Sequence, residues 1–228
     1  MRCLAVLGLT MLPACGFVDY DAAPVGRFDG SVIVMWVGET QDGMGDGSFV
    51  YVPSKNPLTF TRNNPDATVQ QIRPQIMYTD GGSVPQLAQV FNGFSPWGYA
   101  PAYMVHDWLF TARKCLNDGA ATPAEEAVRD MTFADSAEVA AEAIKTLIAA
   151  GDVQPNDLAP RAISSAVAGS ISRSLWNSTG ACAAERVSDA HLAQIENALP
   201  GTLGTARKAL SVRRADQPKA KIIQVIEF

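Results

Sequence analysis

Two stretches of this 228-residue chain carry side chains suited to chemistry. One is His106-Asp107-Trp108-Leu109-Phe110 and the other is Tyr78-Thr79-Asp80-Gly81-Gly82-Ser83-Val84-Pro85. The chain has only two histidines, so His106 is the main candidate for proton transfer near neutral pH. A histidine among apolar neighbours needs a polar partner for its second ring nitrogen. Asp107 is poorly placed for this, because adjacent helical residues point about 100° apart. An aspartate on a neighbouring antiparallel helix is better placed, which nominates Asp135 and, by distance, Asp130. In the second stretch, Gly81 and Gly82 free the backbone to present carbonyls to a cation or N–H groups to an oxyanion. With Asp80 and Asp107 the run has the oxygen donors of a hard-cation site such as calcium. Ser83 is alternatively a nucleophile with His106 as its base. The plain structural readings stand beside these: Asp-Gly-Gly-Ser as a tight turn, and His106 as a satisfied core residue.

The elements that must position these residues follow from periodicity and punctuation. Ser31–Val37 reads as a strand, Phe49–Val52 as a second and Leu58–Thr61 as a third. Residues 68–77 are interrupted by Pro74 and read as an edge strand. A helix is expected from about Pro101 to Leu116, ended by Asn117-Asp118-Gly119. Thr122-Pro123-Ala124-Glu125 is a capping-box pattern that opens a helix reaching about Ala150, with Gly151 at its end. If that helix is unbroken and antiparallel to the first, His106 and Asp135 differ in level by only about 4–5 Å. Further helices are expected over residues 157–176 and 188–198, and Ile222–Phe228 as an added strand. The expected fold is α+β, a short N-terminal β region followed by a helical bundle of three to four helices.

The amino terminus bears on location. A short positive start and an apolar run lead into Leu12-Pro13-Ala14-Cys15, a pattern that resembles the lipobox of bacterial lipoproteins. The resemblance implies cleavage before Cys15 and acylation of its thiol, palmitate being one such chain, with Gly16 matching outer-membrane sorting. Residues 1–14 are then a signal peptide, 15–27 a lipidated tether, 28–200 a single domain and 201–228 an extension. The mature chain would carry 17 basic and 23 acidic residues, net −6, and have no basic block, which disfavours nucleic acid as a partner. The membrane, through the lipid, is the expected partner, on the periplasmic side of the cell envelope. Cys115 and Cys182 remain as a pair able to bridge in an oxidising compartment.

Thr79–Pro85, Ser95-Pro96-Trp97-Gly98-Tyr99, His106–Phe110 and Ala134-Asp135 together resemble a phage- and prophage-associated family, domain of unknown function number 1353. Order and spacing match from about Val32 to Trp176, with Phe110 where tyrosine is commoner. A looser, site-level similarity is to secreted calcium-dependent phospholipases of the histidine–aspartate type. That likeness implies a calcium loop at Asp80-Gly81-Gly82, His106 activating water, Asp107 holding calcium and Asp135 orienting the imidazole. The cysteine pairs that flank the motif in those enzymes are absent; only Cys115 lies nearby. The leading expectation is an envelope lipoprotein with a His-Asp hydrolase site acting on a lipid or envelope ester. The alternatives are a non-catalytic phage-derived or envelope interaction protein whose Asp/His motif is structural, and a peptidoglycan-directed hydrolase.

Overall fold

Why β2 resists the usual alternation of the strand pattern is visible in its surroundings. In the computed structural model, which describes residues 18–38, 47–79, 98–154, 159–203 and 218–228, β2 (Ser31–Val37) is buried at six of its seven positions. It lies inside an antiparallel sheet of order β6-β3-β2-β7 and is covered on both faces, which suits its continuous apolar run. Its sheet partners are β3 (Ser48–Val52), β6 (Met77–Thr79) and the C-terminal β7 (Lys221–Glu227). The expected added strand therefore pairs antiparallel with β2, and Val34 lies opposite Gln224. A second antiparallel sheet joins β1 (Arg27–Asp29), β4 (Thr59–Thr61) and β5 (Gln71–Ile72) in the order β1-β4-β5. The chain passes from one sheet to the other at Gly30, whose φ is 91°. A Cβ there would stand 2.3 Å from the Pro57 carbonyl oxygen, so only glycine fits.

The main core lies between the sheets and α1 (Ala100–Asn117) and α3 (Phe133–Ala150). Val32, Val34, Tyr51, Phe60 and Ile72 meet Val105, Trp108 and Leu109 of α1, and Ile144 and Leu147 of α3 join them. Helix α1 is buried at every position from Ala100 to Val105, so it runs through the interior rather than over it. On the other face of the larger sheet, Met35, Val37, Val50 and Val52 pack on Leu192 and Ile195 of α7 (Asp189–Ala198). Gln194 closes that contact by accepting from Gly38 N–H at 3.1 Å and donating to its carbonyl at 2.8 Å.

The mixed α+β class holds, with two antiparallel sheets, but the helices are more divided than expected. Thr122 and Glu125 do form a capping box, yet the helix they open, α2 (Pro123–Glu126), is one turn long. A second box, Thr132 with Asp135, starts α3 afresh, and Gly151 ends it in the left-handed conformation at φ 83°. The break is stabilised from outside: Arg113 of α1 donates to the carbonyls of Arg129 and Met131, which the interrupted helix leaves without partners. The helix expected over 157–176 is likewise two, α4 (Ala159–Val167) and α5 (Ser170–Trp176), divided where Gly169 takes an extended N-cap conformation. Helix α4 packs on α3, and α7 lies on the sheet, so the helices do not all gather into one bundle. Among the described residues no helix is long and apolar enough to cross a membrane.

Cys115 and Cys182 are disulfide-bonded, joining α1 to the short α6 (Cys182–Glu185). The bond closes a sequence separation of 67, for which chain entropy alone gives about 4 kcal/mol. Asp118 supports the same junction by accepting the N–H groups of Gly180 (2.6 Å) and Cys182 (2.9 Å).

Candidate functional site

Strand β6 and helix α1 place the site. β6 is an edge strand held by pairing of Met77, Tyr78 and Thr79 with Tyr51, Val50 and Phe49. Successive side chains on a strand point to opposite faces. Thr79 faces α1, where its hydroxyl donates to Asp107 Oδ2 at 3.4 Å. The two stretches singled out in the sequence are therefore joined directly at Thr79. Asp80, Gly81, Gly82 and Ser83, and Cys15 at the amino terminus, lie outside the described residues.

His106 sits on α1 with its side chain only 12 % exposed. Its Nδ1 is 3.8 Å from Asp107 Oδ1, an ion-pair separation but too long for a hydrogen bond. That agrees with the 100° offset between adjacent helical residues. The ring lies 4.7 Å from Phe110, which meets the edge of Trp176 at 5.1 Å. Its Nε2 is buried and has no hydrogen-bond partner among the described residues. The hydroxyl of Tyr99, the N-cap residue just before α1, is buried in the same condition. Burial raises the Tyr99 pKa, so that hydroxyl stays protonated.

Asp135 is engaged at the start of α3. Its Oδ2 accepts from the Thr132 N–H at 2.9 Å and from the Thr132 hydroxyl at 2.6 Å, closing the capping box of α3. The level matching that paired it with His106 assumed one helix from residue 122 to 150, and the break at Arg129–Met131 removes that assumption. Asp130 is exposed in that turn. Among the described residues, the carboxylate beside the His106 ring is that of Asp107.

The sequence reading passed over the second histidine. Tyr78, on the opposite face of β6 from Thr79, accepts from the Ser188 N–H at 2.9 Å and lies 2.8 Å from His191 Nδ1. The hydroxyl has one proton, so against a neutral ring it donates to Nδ1 and leaves the ring proton on Nε2. This cluster fastens the start of α7 to the edge strand. The signal available in the sequence was Ser188 as an N-cap, with His191 three residues on.

Among the described residues no group of three His, Cys, Asp or Glu side chains could hold a metal ion. Of the expected cation donors only Asp107 is described, and its Oδ2 receives the Thr79 hydroxyl. No family model matches the chain, and neither a curated protein nor a solved structure does so.

Proposed function

We propose that this chain is a lipid-anchored envelope protein whose His106–Asp107 pair serves a hydrolase acting on an ester of lipid or envelope origin. The observation that carries the reading is His106 Nε2, buried and without a partner among the described residues, while Asp107 stands beside Nδ1. Folded proteins leave few buried polar atoms unbonded, and those they leave are often functional. In the proposed step, Nε2 takes a proton from water as its oxygen adds to the ester carbonyl. The imidazolium then returns that proton to the departing alcohol, leaving a carboxylic acid. Asp107 Oδ1 stands 3.8 Å from Nδ1, beside the charge that the ring carries between those two transfers. Thr79 donates to Asp107, and Asp80 is the next residue in the sequence after Thr79. In this reading Asp80, Gly81, Gly82 and Asp107 hold calcium, which would polarise the carbonyl when bound; Ser83 is the alternative nucleophile. The likeness to the phage-associated family supports the choice of residues and leaves the reaction open.

The test compares wild type, His106→Asn and Asp107→Asn on phospholipid, short-chain ester and peptidoglycan substrates, with calcium and with chelator. A base at this position predicts a loss of roughly 10²–10⁴-fold in His106→Asn with the fold intact by far-ultraviolet circular dichroism. Equal rates, or no turnover of any substrate together with a lowered Tm in His106→Ala, would assign the histidine to the interior of a non-catalytic interaction protein. Chelator-independent turnover would remove calcium from the reading.

A further inference from the structure

The segment expected to be a slack tether is docked from Asp19 onward. The Asp19 carboxylate accepts the N–H groups of Asp21 and Ala22 at 3.1 and 3.2 Å, and its carbonyl accepts that of Ala23 at 3.1 Å. Lys145 of α3 donates to the carbonyls of Asp21 and Ala23, both at 2.7 Å, and its ammonium lies 5.9 Å from the Tyr20 ring centre. Arg161 of α4 grips the Asp21 carboxylate at 2.7 and 3.0 Å. Gly26 N–H donates to Thr146 of α3 at 2.8 Å. The chain is thus fixed to the α3–α4 side of the molecule within a few residues of Cys15.

Geometry then limits the distance to any lipid on Cys15. Cys15 and Val18 are three residue steps apart, a span of at most about 11 Å even when fully extended. A 12-residue tether from Cys15 to Arg27 would have allowed roughly 40 Å. On the lipoprotein reading, which this inference rests on, the α3–α4 side must lie close to the bilayer.

The next helix after α4 exposes apolar side chains that the core does not use. Helix α5 begins three residues after α4 ends, and it presents Ile171 and Leu175, 79 % and 49 % exposed. They are one turn apart on a single helical face. Chain reach keeps Ile171 within about 23 Å of Arg161. Arg173, between them in sequence, is turned back over the Phe133 ring at 4.3 Å. We infer that α5 is a membrane-contact surface: Ile171 and Leu175 enter the interfacial layer of the bilayer that holds the acyl chains of Cys15. Side chains of this kind partition into the headgroup–acyl boundary when an anchor already holds the helix at the surface.

The experiment uses the full lipidated chain in phosphatidylethanolamine/phosphatidylglycerol vesicles. Single substitutions Ile171→Cys, Leu175→Cys and Lys55→Cys are labelled with an environment-sensitive NBD probe, the native Cys115–Cys182 pair being closed. Mass analysis of the amino-terminal peptide runs in parallel. A diacylated Cys15, with a blue shift and several-fold brighter emission at 171 and 175 but not at 55, and quenching by doxyl-labelled lipid, is the expected result. An unlipidated Cys15 overturns the lipoprotein reading itself. A lipidated Cys15 with water-like emission at 171 and 175, or an equal response at 55, overturns the contact surface alone. So does a shift produced by adding unlabelled protein instead of vesicles.

Discussion

Arg62 and Glu142 are the sharpest place to test how the sheet is attached to α3. The Arg62 side chain is fully buried and that of Glu142 is 1 % exposed. They meet bidentately, Nε to Oε2 at 2.8 Å and Nη2 to Oε1 at 2.7 Å. Glu138 adds a weaker contact at 3.6 Å, but it is 49 % exposed and contributes little. Glu142→Gln removes the charge that balances a guanidinium held out of water. Breaking one partner of such a pair costs about 3–5 kcal/mol. Taking the lower end, because Glu138 remains, gives about 3 kcal/mol, or a fall in Tm on the order of 10 °C for a domain of this size. The double substitution Arg62→Met/Glu142→Met removes both charges at similar volume, and apolar replacement of a buried pair is often neutral or better. Urea unfolding followed by far-ultraviolet circular dichroism gives all corners of the cycle. The reasoning is refuted if Glu142→Gln costs less than about 1 kcal/mol, or if the double variant is less stable than the single.

Two further predictions follow from hydrogen bonds that cross elements. The N–H groups of Cys182, and after them of Gly180, hold the Asp118 carboxyl below its usual pKa of 3.8. A depressed carboxylate stabilises the fold above its unfolded pKa and loses that contribution as pH falls through the folded value. Asp118→Asn is therefore expected to lower Tm at pH 6–7, with the gap to wild type starting to close near pH 3.8 and vanishing only below the depressed folded pKa; parallel Tm–pH curves would count against it. Asp135→Ala removes one side of a capping box, for which about 1 kcal/mol is expected. Thr132→Ala should cost a similar amount, and the pair should be non-additive because both act on one cap. If Asp135→Ala instead abolishes a hydrolysis that Thr132→Ala leaves intact, Asp135 belongs to the site after all.

What could be read from the sequence was local. The β-branched run Ser31–Val37 announces a strand, and its lack of alternation announces burial on both faces. Cys115 and Cys182 announce a bridge because few other cysteines compete. Ile222–Phe228 reads as a strand, but nothing in it names β2 as its partner, some 190 residues away. The helix breaks were missed because apolar periodicity continues across them. Thr132-Phe133-Ala134-Asp135 is a second capping box, but the one at Thr122 precedes it and by itself suffices to start a helix. The docked amino-terminal segment was illegible for a different reason. Val18–Val25 has no periodicity, and its order comes from Lys145, Thr146 and Arg161, all more than 115 residues away in sequence.

The candidate site depends on the register of its smallest element. β6 has three residues, and its strand pairing is too short to fix it strongly. Side chains supply the rest: Tyr78 locks one face to Ser188 and His191, and Thr79 locks the other to Asp107. A slip of one residue would exchange the two faces. A slip that set Tyr78 in the place of Thr79 would bring an aromatic ring against Asp107 and put Met77 opposite His191, so both locks would fail together. The order Tyr-Thr-Asp thus has a physical reason. Tyrosine reaches across to α7 and threonine fits the close approach of α1. In the sequence Asp80 comes next, one peptide bond from the threonine that touches the His106–Asp107 pair.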